Sequence, residues 1–367
     1  MTKEELFGTK IEEPDVSVKE KAKANFDALA KPIDGFGDLE DIVCRIAAIQ
    51  GSVNPDISKR AAIVVFADNG VVKSGVSQTD SSVTLDVARL FAKGQSTICV
   101  ETAGFGIDVI GVDVGIDSDE KIPGIIDRKV RKGTKNIAEA AAMTEDECLE
   151  AMEAGIDIVR VCKDKGYGLI ATGEMGIGNT TTATALLCAL TGADPKDITG
   201  RGAGLSAEGL KRKISVISKA LNLHGLSASN HKNDAGAGSE PGYALASLTA
   251  VGGLDIAALT GIFIGGAICH VPVIIDGLIS AVAALTAYCM LPGCERYMIA
   301  SHRGREKGCD IALSKMGLKP VMEAGMALGE GTGGVMIIPV IEMVLNVYNH
   351  GTSFKTAQIQ QYRRHEK

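Results

Sequence analysis

Short apolar runs recur along the chain, most of them closed by glycine, aspartate or another polar residue: Ala61 to Ala67 (AAIVVFA), Asp108 to Asp113 (DVIGVD), Leu169 to Thr172 (LIAT), Val271 to Ile275 (VPVII) and Tyr297 to Ala300 (YMIA). Largely apolar strands bounded in this way belong to a parallel sheet covered on both faces. Helical patterns fill much of the rest. Val18 to Leu29 and Leu39 to Ile49 read as amphipathic helices, Val321 to Leu328 as a helical stretch, and Val335 to Tyr348 as a long apolar helix. The fourteen apolar or small residues from Ile256 to Cys269, interrupted soon afterwards by Pro272, fall short of the roughly 20 clean residues a spanning helix needs and predict a buried helix with a short buried strand after it. The polar tail Thr356 to Lys367 is expected to be frayed or peripheral. In a sheet of this kind ligands sit beyond the carboxyl ends of the strands, so chemistry is to be sought in the segments after them.

Composition narrows the class. Hydrophobic residues make up 46% of the 367, aromatics only 4% with no Trp, and glycine reaches 44, a balance that suits α/β layers better than an aromatic-rich sandwich. Net charge is -7 with a pI near 5.5, and the one dense basic stretch, Arg128 to Lys135, carries no aromatic that stacks on a base, so nucleic acid is not expected as a partner. The nine cysteines are an odd number without a CxxC or Cys/His cluster; they read as reduced thiols of a cytoplasmic protein, with no metal site. The charged N-terminus, MTKEELFGTKIEEPDVSVKEK, has no apolar core of a secretory signal, and no membrane association is expected.

Two glycine-rich segments carry the chemistry. In Gly173-Glu174-Met175-Gly176-Ile177-Gly178-Asn179-Thr180-Thr181 an apolar strand gives way to a turn and then to a helix of Ala and Leu. Glycines allow close approach of a ligand, and free amides at a helix start favour an anion, here a phosphate; the plainer alternative is a tight turn with Asn179 or Thr180 as N-cap. Gly329-Glu330-Gly331-Thr332-Gly333-Gly334 satisfies GxGxxG, but no clear strand precedes it and too little chain remains after it for a dinucleotide fold, so a nicotinamide-dependent oxidoreductase rests on that match alone. A lone acid between glycines suits close contact with a ligand, and a carboxylate covered by that ligand has its pKa raised toward the range of a general base. Lys213, within a stretch that reads as a solvated helix face, and Ser301-His302, after a strand, are further candidates. GxxxxGK[ST], HExxH and GxSxG are absent.

Together with Phe66-Ala67-Asp68-Asn69-Gly70, Gly202-Ala203-Gly204-Leu205, Gly252-Gly253-Leu254-Asp255-Ile256-Ala257, Pro272-Val273-Ile274-Ile275-Asp276-Gly277 and Ser301-His302, these two motifs resemble the nicotinate-nucleotide:dimethylbenzimidazole phosphoribosyltransferase family in order and spacing, from about Phe26 to Phe354. The resemblance implies a Rossmann-like parallel sheet flanked by helices, over residues 51–337, and a small helical domain built from residues 1–50 and 338–367. It implies a dimer, either of identical chains or with a paralogue, whose partner helps close the site. Glu330 matches the catalytic carboxylate. Glu174, Gly176, Gly178, Asn179, Thr180, Lys213, Ser301, Gly329, Gly331 and Thr332 match positions near nicotinate mononucleotide, and Thr79, Asp86 and Met175 match the acceptor pocket.

The implied reaction carries phosphoribosyl from nicotinate mononucleotide to an aromatic cobamide lower-ligand base, without a cofactor. Nicotinate departs as an uncharged ring nitrogen, the acceptor attacks ribose C1 from the opposite face to give the α-ribotide, and Glu330 takes the acceptor's proton. The chain departs from the family at Asn69, where most members carry histidine, and at Asp86 and Val87, where benzimidazole users often carry glutamine and methionine. An amide exchanged for a carboxylate alters which acceptor atoms are satisfied, so a phenol or purine acceptor, or a catalytically silent subunit completing a paralogue's site, stands as the alternative.

Overall fold

The computed structural model describes residues 1–227 and 241–364. Its six strands, β1 (Arg60–Ala67), β2 (Ile107–Gly115), β3 (Ile125–Asp127), β4 (Leu169–Met175), β5 (Val273–Ile275) and β6 (Met298–Ala300), form one sheet in the order β3-β2-β1-β4-β5-β6, every pair parallel. This is the order of doubly wound dinucleotide-binding sheets, with its switch point between β1 and β4. Five of the strands fall on the five apolar runs. The edge strand β3 is largely exposed and ends on an aspartate, so it did not register as an apolar run.

Both faces are covered because the strands are apolar on both sides. Ile63, Val65 and Ala67 of β1 join the core beneath the helices Glu145–Asp164, Leu254–Ile268 and Leu278–Met290. Ala62, Val64 and Phe66 face the opposite way, onto the helices Val16–Ala28, Asp38–Gln50 and Thr332–His350. The terminal helices therefore pack with one another and on one face of the sheet, and Thr332–His350 runs unbroken through the expected boundary at 337/338. Between Glu145–Asp164 and Leu254–Ile268 the backbones nearly touch: a Cβ on Gly155 would lie 2.0 Å from the Ala258 carbonyl oxygen, and one on Gly261 1.9 Å from that of Met152.

One expectation is corrected. Val321 to Leu328 is not helical; it runs alongside residues 301–305, where Met322 N–H donates to the Ser301 carbonyl and the Arg303 and Arg305 amides donate to Met322 and Met326. Those cross-chain bonds, with Gly325 at φ +63°, replace the helical ones. The tail is peripheral: residues 358–364 are exposed, after a short helix, Phe354–Ala357, capped by Ser353, with Arg364 pairing to Asp27 and Asp34, both at 2.8 Å; residues 365–367 lie outside the described residues. The apolar stretch before Pro272 forms the buried helix Leu254–Ile268, with β5 after it. Among the described residues one helix, Thr332–His350, is long and apolar enough to cross a membrane, and 56% of its apolar window is packed inside the molecule.

Candidate active site

At the carboxyl ends of β1, β4 and β5 lies a cleft of about 310 Å³, where the strand order reverses. Its floor is made by the two glycine-rich segments, which the fold presses together. A Cβ on Gly173 would lie 2.3 Å from the Glu330 carbonyl oxygen, so only glycine at the end of β4 lets the 329–331 loop sit there. That loop turns through three successive left-handed residues, Gly329 (φ +91°), Glu330 (φ +59°) and Gly331 (φ +91°). A non-glycine residue held in this region stores strain that the surrounding packing has to maintain. The result presents the Glu330 side chain to the cleft.

Burial raises the Glu330 carboxyl above the ordinary carboxylate range, opposed by hydrogen bonds from the Ile98 and Thr97 backbone and the Thr97 hydroxyl at the start of the helix Thr97–Thr102. One of its oxygens, Oε2, is buried without a partner. Glu101 lies one turn further along that helix, with both carboxyl oxygens buried and unpartnered; burial, with Asp276 and Glu330 nearby, pushes it up to about 7. Asp276, at the end of β5, accepts the Gly334 N–H at 2.9 Å near the start of Thr332–His350. Burial raises its carboxyl, against the pull of His302.

The other wall is the helix Asn179–Thr191. Its N-cap is Gly178 at φ +93°, with no side-chain cap, so neither Asn179 nor Thr180 plays the capping role. The Asn179 and Thr181 N–H groups already donate to the Gly176 and Gly178 carbonyls, so an anion at this helix start meets it at Thr180. Thr180 lines the cleft and accepts a hydrogen bond from Lys213 Nζ at 2.8 Å. Lys213 is fully buried, not on a solvated face, although its neighbours Lys211 and Arg212 are exposed. Burial brings its ammonium down to about 8, with Glu306 acting the other way. Arg201 and Arg305 add two more cations to the lining. Asn179 instead turns its amide inward, where Nδ2 donates to both Glu174 Oε2 and Asp255 Oδ2, the latter at 2.9 Å.

Of the residues singled out from the sequence, Glu174, Met175, Gly176, Gly178, Asn179, Thr180, Gly329, Glu330 and Thr332 line this one cleft. Gly331 caps the helix behind it, and Ser301 lies beneath, its hydroxyl donating to the Ile275 carbonyl at 2.6 Å and touching His302 Nδ1 at 3.0 Å, while His302 itself lines the cleft. Thr79 and Asp86 lie elsewhere. Both are exposed, and Asp86 pairs with Arg89 at 2.8 Å on the outer side of the helix Ser82–Ala92. Val76, Ser77 and Gln78 occupy the lining on that side. Sequence reasoning gave no role to Asp255, Asp276, Glu101, Arg201 or Arg305. Asp255 opens an otherwise apolar helix and Asp276 closes an apolar strand, a signal that was visible. Glu101 sits in an ordinary helical stretch and offered none. No strand of the sheet leads directly into Gly329 among the described residues, which removes the support for the dinucleotide reading.

A family model described as "Phosphoribosyltransferase" matches residues 11–359. The nicotinate-nucleotide–dimethylbenzimidazole phosphoribosyltransferase of Acetivibrio thermocellus is 43% identical over 336 residues, 92% of each chain, and the protein of the same name from Ruminiclostridium cellulolyticum is 40% identical over 99% of each. The crystal structure of CobT from Thermus thermophilus superposes with a TM-score of 0.85 at 35% identity, covering 94% of this chain and all of that one. On the breadth of these matches, the chain belongs to the phosphoribosyltransferase family of the nicotinate-nucleotide–dimethylbenzimidazole enzymes.

Proposed function

We propose that the protein transfers the phosphoribosyl group of nicotinate mononucleotide to an aromatic lower-ligand base of the benzimidazole type, with inversion at ribose C1, releasing nicotinate. The observation that carries this reading is the meeting, in one cleft, of a partly unpartnered carboxyl in a strained glycine loop with an uncapped helix start backed by a buried lysine. Phosphate sits at the helix start, held by Thr180 and Lys213. The nicotinate ring leaves as a neutral pyridine while the acceptor's ring nitrogen attacks from the opposite face, which gives α from β. The proton on the acceptor passes to Glu330, a transfer of the kind that contributes about 10² to 10⁴-fold. Holding both substrates in line supplies more.

The working form is a dimer in the cytoplasm. Supporting this, the helix Thr332–His350 exposes Met336 and Met343, the latter 67% accessible, beside the partly covered Val340 and Val347. Val100 and Phe105 are also exposed, and Arg60 links that region to the helix by bonding both the Phe105 carbonyl and Glu342. A second copy buries this stripe. All nine cysteines are free thiols, as a reducing compartment keeps them.

The test is to incubate the purified chain with nicotinate mononucleotide and, separately, dimethylbenzimidazole, adenine and phenol, following ribotide and nicotinate by mass. Ribotide is expected with dimethylbenzimidazole. Release of nicotinate without ribotide from any acceptor contradicts the proposal.

A further inference from the structure

Asp255 is fully buried, and Glu174 lines the cleft with its carboxyl against Gly329, whose added Cβ would lie 3.1 Å from Glu174 Oε1. Both carboxyls accept from the same amide nitrogen of Asn179, and no lysine, arginine or histidine among the described residues forms an ion pair with either. Asp255 has a second donor, the Ile256 N–H at 3.0 Å, at the start of its own helix. Glu174 has no such compensation. Two adjacent carboxylates without a cation do not both ionise at neutral pH, and the one with fewer donors keeps the proton.

We propose that Glu174 is the proton-bearing carboxyl of this site, paired with an ionised Asp255 across Asn179, and that its O–H donates a hydrogen bond to an acceptor atom of the bound substrates while Glu330 stands opposite as the base. The inference rests on the phosphoribosyl-transfer reading above. Two sources supply such an atom: the carboxylate of the nicotinate group and a ring nitrogen or oxygen of the aromatic acceptor. A carboxylate at Glu174 repels either one; a carboxylic acid donates to it. The cleft then holds two glutamates in opposite protonation states, each suited to its task. The titratable groups facing Glu174 are Asp255, at the start of Leu254–Ile268, Asp276 after β5 and Glu330 on the loop, all three acidic and all raising its pKa, after burial as the largest cause. Asp255 is raised to about 6 by burial, opposed by its hydrogen bonds from Asn179 and Ile256. Arg201, Arg305, Glu306 and His302 line other parts of the same cleft.

The experiment is the pH profile of ribotide formation, with KM measured separately for nicotinate mononucleotide and for dimethylbenzimidazole, in the wild-type chain and in Glu174→Gln, Glu174→Ala and Asp255→Asn, each confirmed folded by its thermal unfolding curve. Glutamine still accepts from Asn179 and still donates. Glu174→Gln is expected to keep turnover within about tenfold and to lose the alkaline limb that ionisation of Glu174 produces; Asp255→Asn is expected to move that limb to lower pH. Glu174→Ala is expected to raise KM about tenfold or more for whichever substrate accepts the bond, which identifies the source. An alkaline limb in turnover at saturating nicotinate mononucleotide, where loss of phosphate affinity at Lys213 does not register, that stays unchanged in Glu174→Gln overturns the proposal, and so does a loss in Glu174→Gln as deep as in Glu174→Ala. Absence of ribotide from the wild-type chain, or full activity in Glu330→Gln, instead overturns the parent reading, so the two failures are told apart.

Discussion

Lys213 illustrates how far a single residue's role depends on its surroundings. In the sequence it stands beside Lys211 and Arg212 and looks like one more solvated cation, yet the helix Ala207–Leu223 turns it, alone of the three, into the protein against Thr180. Its folded pKa, about 8, lies below the ordinary 10.5, so between these values the unfolded chain holds a proton that the folded chain has lost. Stability contributed by this group therefore rises as pH climbs from about 8 to 10.5, while phosphate affinity falls. The KM for nicotinate mononucleotide should increase as pH passes about 8, and Lys213→Met should raise it by about tenfold or more at pH 7 without lowering the unfolding temperature, since a buried cation is exchanged for an apolar chain of similar length. A KM unaffected by that substitution separates Lys213 from the phosphate. Glu330 was legible for a different reason: glycines on both sides of a lone acid advertise a backbone that has to turn left-handed and meet a ligand. Asp255 and Glu101 were not, because what matters in each is a neighbour more than seventy positions away: Asn179 for the first, Glu330 for the second.

Among the elements, the strands were the most legible and the loops the least. A buried parallel strand announces itself as an unbroken apolar run, whereas Val321 to Leu328 has a helix-compatible composition and only its bonds to residues 301–305 decide otherwise. Asp86 depends on its surroundings too: its place in the sequence suggested the acceptor pocket, and the helix Ser82–Ala92 leaves it exposed and paired with Arg89. Altering Asp86 to glutamine is expected to leave the preference among dimethylbenzimidazole, adenine and phenol unchanged; a switch in preference places it back in the pocket. Glycines that serve packing are as consequential as those in the loops. Gly155→Ala or Gly261→Ala forces the paired helices Glu145–Asp164 and Leu254–Ile268 apart, since each new methyl meets a backbone carbonyl at 2.0 or 1.9 Å. Overpacking of this kind costs about 1 to 3 kcal/mol or more, readable as a lowered urea midpoint. A midpoint that stays in place means the helices accommodate the methyl.

For the molecule as a whole, the α/β class and the parallel sheet came from the apolar runs, while the strand order was not legible, because nothing in a strand's own residues states its neighbours. The helices from the two ends of the chain meet on one face of the sheet, and Met336 and Met343 on Thr332–His350 are exposed, where the proposed dimer puts its second copy. Met343→Glu is expected to shift the sedimentation coefficient from dimer to monomer, and a dimer that persists moves the interface elsewhere. What the fold contributes to the proposed reaction is to bring the end of β4 beneath the 329–331 loop, so that Glu330 and the start of the helix Asn179–Thr191 share one cleft. The most direct measurement of that claim is single-turnover ribotide formation from nicotinate mononucleotide and dimethylbenzimidazole by the wild-type chain and by Glu330→Gln. The account predicts a rate lower by about 10² to 10⁴-fold in the variant, with stabilisation by nicotinate mononucleotide retained; wild-type turnover in Glu330→Gln contradicts it.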